Sequence, residues 1–237
     1  MQPPSPDLRS LNPASKEYLE AVFELREEGR RVLQARIGER LGLAPATVSE
    51  GVKRLVAEGY VEIRGARDLE LTEKGHVIAE ALVRRHRLAE RMLTDILGIS
   101  WHLCHEQAED WEKVMTPEVE EAILAKLEGE PTCPHGNPIP GTSSAIPWSS
   151  LRPVAAMDVG EGGVLTRLLE DVELDHDVLK FLEEHWLMPG SRLTLVEAAP
   201  DGTLLLEVTR GSGPPLRVAL GRNLADNLWV MPSAPAA

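Results

Sequence analysis

The chain has 237 residues, with 25 basic against 38 acidic side chains and a net charge of −13. It has room for two or three packed domains but lacks the overall basic charge of a general nucleic-acid binder. No apolar run approaches the roughly 18 residues of a membrane helix, residues 1–18 lack the apolar core of a secretion signal, and two cysteines, Cys104 and Cys133, argue against a disulfide framework and for a reducing, cytoplasmic setting.

The charge is unevenly spread. Residues 1–75 carry 12 basic and 13 acidic side chains, 76–150 carry 6 and 12, and 151–237 carry 7 and 13. Between residues 30 and 54, Arg30, Arg31, Arg36, Arg40, Lys53 and Arg54 are offset only by Glu39 and Glu50, a local positive footprint on an acidic chain.

In chain order, SKEYLEAVFELREEGR (15–30) spaces its apolar residues as a helix, with Ser15 as N-cap and Gly29 as stop. Next come a helix over Leu33–Leu41, a turn at Gly42–Pro45 and a helix over Ala46–Glu58. YVEIRGARDLELTEKG alternates apolar and polar residues on both sides of a glycine turn, as a hairpin does. Helix, helix, turn, helix, hairpin is the order of a winged helix-turn-helix. His76–Glu128 reads as helical, broken near Gly98–Ser100 and at Thr116-Pro117, where a cap precedes a proline at the first helical position. Glu128–Ser150 is a linker or an ordered irregular loop. The remainder reads as short strands separated by Pro-Asp-Gly and Gly-Ser-Gly-Pro-Pro turns, the spacing of a small β-barrel, and the tail PSAPAA as disordered. The fold class expected is α+β multidomain, with domains at 1–75, 76–150 and 151–232.

In a helix-turn-helix the start of the second helix meets base edges. Here that is Ala44, Pro45, Ala46, Thr47, Ser49 and Glu50, small or hydrogen-bonding residues that allow close approach. Arg36, Lys53, Arg54, Arg64 and Arg67 are candidates for phosphate contacts. Without the hairpin beside it, the same stretch would be an ordinary helical pair with solvated charges.

The second chemical feature is acidic. In CHEQAEDWEKV, His105, Glu109 and Glu112 share a helix face, while Cys104, Ala108 and Trp111 fall on a flank expected to be core. His86 and Glu90 form an i, i+4 pair, and Glu17 and Glu20 an i, i+3 pair. Each pair alone reads as a solvated face, and Cys133 and His135 alone as a buried thiol and a loop histidine. If the helices pack together, the crowded carboxylates need a cation, and imidazole with carboxylate suits Mn(II) or Fe(II).

EYLEAVFEL, QARIGERLGLAPATVSEGVKRL, EGYV with LELTEKG, RHRLAERMLTDILG, CHEQAEDWEKVM and GNPIPG together resemble the diphtheria-toxin-repressor and manganese-transport-regulator family of metal-dependent transcriptional repressors, over about residues 15–141. The resemblance implies a homodimer on a double-stranded DNA operator, no enzymatic activity, a C-terminal SH3-like barrel, and up to two metal sites per subunit. It places one site at Glu17, Glu20, Glu109 and Glu112, with Mn(II) favoured over Fe(II) because carboxylates occupy positions 17 and 109. Lys113 stands where relatives carry a histidine ligand. The other site would draw on His86, Glu90 and His105, with Cys133, His135, Glu173 and His176 as further candidates. The helical region would form the dimer interface.

Overall fold

A computed structural model describes residue 8 and residues 11–65, 67–127, 132–142, 146–211 and 213–233. The expectation of a disordered tail falls, for residues 234–237, outside these. The chain divides into two compact units: residues 1–88 with 109–125 and 139–141, and residues 89–108 with 126–138 and 142–237. The helical region is thus shared between them.

The first unit opens with α1 (Pro13–Glu27). Its N-cap is Asn12, whose side chain accepts the Ala14 N–H, and the expected cap Ser15 is instead buried. Proline at the first position needs no N–H partner, so the helix starts at Pro13, three residues earlier than Ser15 as cap would allow. α2 (Gln34–Leu41) and α3 (Pro45–Ala57) are joined through Gly42 at φ +63°, a left-handed position natural to glycine. β1 (Val61–Arg64) and β2 (Asp68–Leu71) pair antiparallel, Val61 opposite Leu71. Leu19, Val22, Leu25, Ile37, Val48, Val52, Leu55 and Leu69 form the buried core. α1 packs tightly on α3: the Tyr18 hydroxyl donates to the Thr47 carbonyl at 3.1 Å, and a Cβ on Gly51 would come within 2.4 Å of the Tyr18 ring. This is the winged helix-turn-helix expected.

α4 (Glu73–Arg91) continues into a π-turn at Met92–Ile96. α5 (Cys104–Glu112) and α6 (Pro117–Leu124) follow. Cys104 and Ala108 are fully buried, but Trp111 is 46 % exposed, which corrects its expected core position. It stands at the end of a short helix, beyond the turn that packs.

In the second unit, six antiparallel strands run in the order β3-β8-β4-β5-β6-β7: β3 Arg152–Pro153, β4 Gly162–Leu168, β5 Arg192–Ala198, β6 Leu204–Thr209, β7 Leu216–Leu220 and β8 Leu228–Pro232. Alternate residues point inward (Leu193 and Leu195; Leu204, Leu206 and Val208; Val218 and Leu220), as period-2 patterning requires. α7 (Glu170–Glu173) and α8 (His176–Glu184) leave the end of β4, and α9 (Arg222–Asn227) precedes β8.

Candidate metal centre

In the first unit, α1, α4 and α5 bring carboxylates to one histidine. His86 Nδ1 lies 2.8 Å from Glu112 Oε2. Glu20 shares this environment. Burial first, and then the charges of Glu112 and Glu24, hold its carboxyl well above the usual carboxylate range, with His86 opposing. Its Oε1 is buried without a hydrogen-bond partner among the described residues. A buried acceptor left unmatched is costly, and a cation is a natural complement. Glu17 and Glu109 are exposed on the same helices. Lys113 is exposed, its Nζ 3.0 Å from Asp110. That bond, more than the charges of Glu112 and Glu109, raises its pKa.

The second unit holds a denser cluster. Glu90, Cys133, His135 and Glu173, all buried, each place one donor atom within 4.8 Å of the others. His135 Nδ1 lies 2.9 Å from Glu173 Oε2 and 3.3 Å from Glu90 Oε1, yet makes no contact of hydrogen-bond geometry among the described residues. That fits donors gathered around a shared point better than a paired bond. His105 Nδ1 meets Glu90 Oε1 at 3.0 Å and Glu173 Oε2 at 3.4 Å, and with Glu170 and Glu173 forms a second close group.

The Cys-Pro-His-Gly turn is fixed from several sides. The Cys133 N–H donates to the Asn137 carbonyl and the Leu168 N–H to the His135 carbonyl. Gly136, at φ +91°, presses on β4 so closely that a Cβ would lie 2.0 Å from the Thr166 carbonyl oxygen. Asn137 Nδ2 donates to Glu173 Oε1 and Arg167 donates to Asn137 Oδ1, a buried relay that holds the Glu173 carboxylate in place.

Burial, with Glu90 and Glu173 adding to it, pushes the Cys133 thiol up to about 12. Burial works against a charged His135, but the Glu173 and Glu90 carboxylates outweigh it and its pKa is raised well above the ordinary value. Burial likewise opposes the charged Glu173, but His135 and the His105 hydrogen bond hold it low. Without a cation, the cluster is an imidazolium held between carboxylates beside a protonated thiol. The carboxylates, imidazoles and thiol of these two overlapping groups are donor types that suit a divalent metal.

The face expected to unite His105, Glu109 and Glu112 is therefore divided: His105 serves the second unit's cluster and Glu112 the first's. Among the described residues, His176 belongs to none of the close donor groups. It is half-exposed, 4.0 Å from Glu106. Sequence reasoning missed Glu170, whose i, i+3 spacing to Glu173 on one helical turn was the available signal.

On the DNA-reading side, Ala44, Pro45, Ala46, Thr47, Glu50 and Lys53 are exposed at and beyond the start of α3, and Ser49 is half-buried. In the wing, Arg64 pairs with Glu62 and, at 3.1 Å, with Glu70, and Arg67 is exposed. Arg36 donates to the Arg31 carbonyl. Arg54 is half-buried, its Nε without a hydrogen-bond partner among the described residues.

Three family models match in succession. Residues 10–69 match one described as "Iron dependent repressor, N-terminal DNA binding domain", 72–141 one described as "Iron dependent repressor, metal binding and dimerisation domain", and 152–232 one described as "FeoA domain". The chain is 36 % identical to the iron-dependent repressor IdeR of Mycobacterium tuberculosis over 210 residues, 85 % of this chain and 91 % of that one. It is 42 % identical to the diphtheria toxin repressor of Corynebacterium diphtheriae over 207 residues, 84 % and 90 % of the two chains. A solved structure described as a manganese-dependent transcriptional repressor in complex with manganese superposes with a TM-score of 0.78 at 28 % identity, covering 92 % of this chain and all of that one.

Proposed function

Because the chain belongs to the iron-dependent repressor family, and is therefore a metal-dependent DNA-binding transcriptional repressor rather than an enzyme, we propose that it is a cytoplasmic manganese-responsive regulator of metal-uptake genes. One observation carries the reading: Glu20, with its unmatched buried oxygen, sits on α1, the helix that also grips α3 through Tyr18. A carboxylate that needs a cation is thus two residues along α1 from a residue that positions the DNA-reading helix.

Glu20, His86 and Glu112 would hold the ion, with the exposed Glu17 and Glu109 free to turn in. A divalent cation there supplies the positive charge that lets α1 and α5 keep their carboxylates together. The side chains do the rest: mutual repulsion of Glu20, Glu112 and Glu24 disfavours the arrangement when no cation is present, so the ion shifts the population toward it. In the second unit, Glu90, Cys133, His135 and Glu173, with His105 and Glu170 beside them, would take a second ion. The chain would act as a homodimer: Val77, Trp111, Val114 and Val119 are all exposed on or near α4–α6, and apolar residues in that position suit cover by a second copy.

Mn(II) is favoured by the all-oxygen and imidazole donors of the first unit, which suit a hard ion. Fe(II) is the second reading, favoured by the 36 % and 42 % identical relatives, of which the first is named as iron-dependent. Duplexes selected from a random pool with Mn(II) present would be titrated with each metal under reducing conditions. Binding that Mn(II) supports at lower free concentration than Fe(II), and that a chelator abolishes, is expected. The reverse metal order overturns the manganese assignment, and binding indifferent to chelator overturns metal control.

A further inference from the structure

Beside the second unit's cluster lies a buried thiol that the readings above leave without a role. Cys104, the first residue of α5, is fully buried, which favours the neutral thiol. Its S–H is committed: Sγ donates at 3.1 Å to the carbonyl of Trp101, in the helical turn Trp101–Leu103 just before α5. The same sulfur lies 3.9 Å from His135 Nε2. A thiol has one proton to donate and sulfur lone pairs that accept. With that proton turned to Trp101, the contact with His135 has Nε2–H as donor and Cys104 Sγ as acceptor.

We propose, resting on the reading of that cluster as a metal site, that Cys104 is the positioning residue for His135: by accepting Nε2–H it keeps a proton there and presents Nδ1 to Glu90 and Glu173 as the metal-binding nitrogen. Nδ1 stands where a ligand atom belongs, 2.9 Å from Glu173 Oε2 and 3.3 Å from Glu90 Oε1, with no hydrogen-bond partner among the described residues. Donors that share one ion, with bonds of about 2.1 Å, stand roughly 3.0–3.4 Å apart. Trp101 holds the ring from two further sides. It packs edge-on against the imidazole, ring centroids 4.6 Å apart, and its indole Nε1 donates at 2.9 Å to the carbonyl of Pro134, the residue before His135. Trp101 is itself tied to α8, its backbone N–H donating to Glu183 at 3.2 Å. A metal-binding imidazole commonly donates its other N–H to a carboxylate, a carbonyl or water. Here sulfur takes that place, a weak acceptor that leaves the ring less basic than a carboxylate would.

The full-length protein, labelled with nitrogen-15 histidine, is loaded with cadmium-113 alone, and the His135 ring signals are assigned by their loss in His135→Gln. The wild type should show cadmium coupling at Nδ1 and a slowly exchanging proton on Nε2. Cys104→Ala should lose the protection of that proton and bind cadmium at this site about tenfold more weakly. Cys104→Ser, whose hydroxyl can accept the same bond, should recover both. Cadmium coupling at Nε2 in the wild type, or an Nε2 proton as well protected in Cys104→Ala as in the wild type, overturns the proposal and leaves the metal site standing. Coupling at neither nitrogen overturns the metal site and the proposal with it. The wild-type spectrum decides which nitrogen is bound without any variant, so the test stays decisive if Cys104→Ala folds poorly.

Discussion

Glu20 and Lys113 answer opposite questions about the same carboxylates. The folded state holds the Glu20 carboxyl above its ordinary range, so folding favours its protonated form. By linkage, metal-free stability is greatest below the ordinary carboxylate range and is lost as pH rises from there through the raised value. Glu20→Gln removes that loss. At pH 7 to 8 the metal-free variant should melt a few degrees higher, about 2–4 °C per kcal/mol for a chain of this size, while Mn(II) should stabilise it less than the wild type. Paired thermal melts with and without Mn(II) test this, and a lower metal-free melting point would contradict it. Lys113 is bonded to Asp110 and not to Glu112, so its ammonium is no substitute for the ion. Lys113→His should therefore tighten Mn(II) binding at the first unit by about tenfold in calorimetry, and unchanged affinity would place the ion away from residue 113. Residue pattern alone showed that these acids were crowded. It could not show that Glu20 is the one with a stranded oxygen, because that depends on three helices meeting.

Helices and turns were legible where a local rule decides them. The α2–α3 hairpin turns at Gly42, and the wing registers Val61 against Leu71, because glycine and alternation act over a few residues. Asn12 displaced Ser15 as cap and Trp111 lies outside the core because those outcomes depend on where a helix end packs. The division of α5 between two clusters is tertiary in the same sense, and so is the role of Glu170, which an acidic run disguises as solvated surface. The Cys133–Gly136 turn shows how strict an irregular element can be. Gly136→Ala puts a methyl group onto the Thr166 carbonyl at a left-handed φ, and should cost the second unit about 3 kcal/mol or more. Denaturant melts would show this, as would faster reaction of Cys133 with a thiol reagent, and wild-type behaviour in both would mean the turn relaxes freely. The same turn predicts a proton-coupled site. Cys133 enters as a thiol and His135 as an imidazolium, so a cation bound by both displaces up to two protons. Affinity at this site should rise about 10- to 100-fold per pH unit near neutrality, and a pH-independent affinity would mean that neither group is a ligand.

At the scale of the whole chain, charge and oligomeric state act together. A net charge of −13 repels DNA, and within residues 1–75 the 30–54 stretch is the locally basic one. One copy would therefore offer few phosphate contacts, and two recognition helices related by a twofold axis would engage half-sites about one helical turn apart. The exposed Trp111 and Val114 lie just past the carboxylate Glu109 and beside Glu112, so the surface that would join two copies adjoins the residues that would hold the ion. Placing a charge there should separate these functions. Val114→Glu, at a side chain 64 % exposed in one copy, leaves the packed core untouched and should fold normally. It should sediment as a monomer at micromolar concentration, where the wild type should sediment as a dimer. It should still bind Mn(II) at Glu20, His86 and Glu112, and it should lose on the order of 100-fold or more in DNA affinity as the second half-site contact disappears. A dimeric Val114→Glu chain would move the interface elsewhere on the helical region. A monomer with undiminished DNA binding would mean that one winged helix suffices, and that metal acts within a single copy.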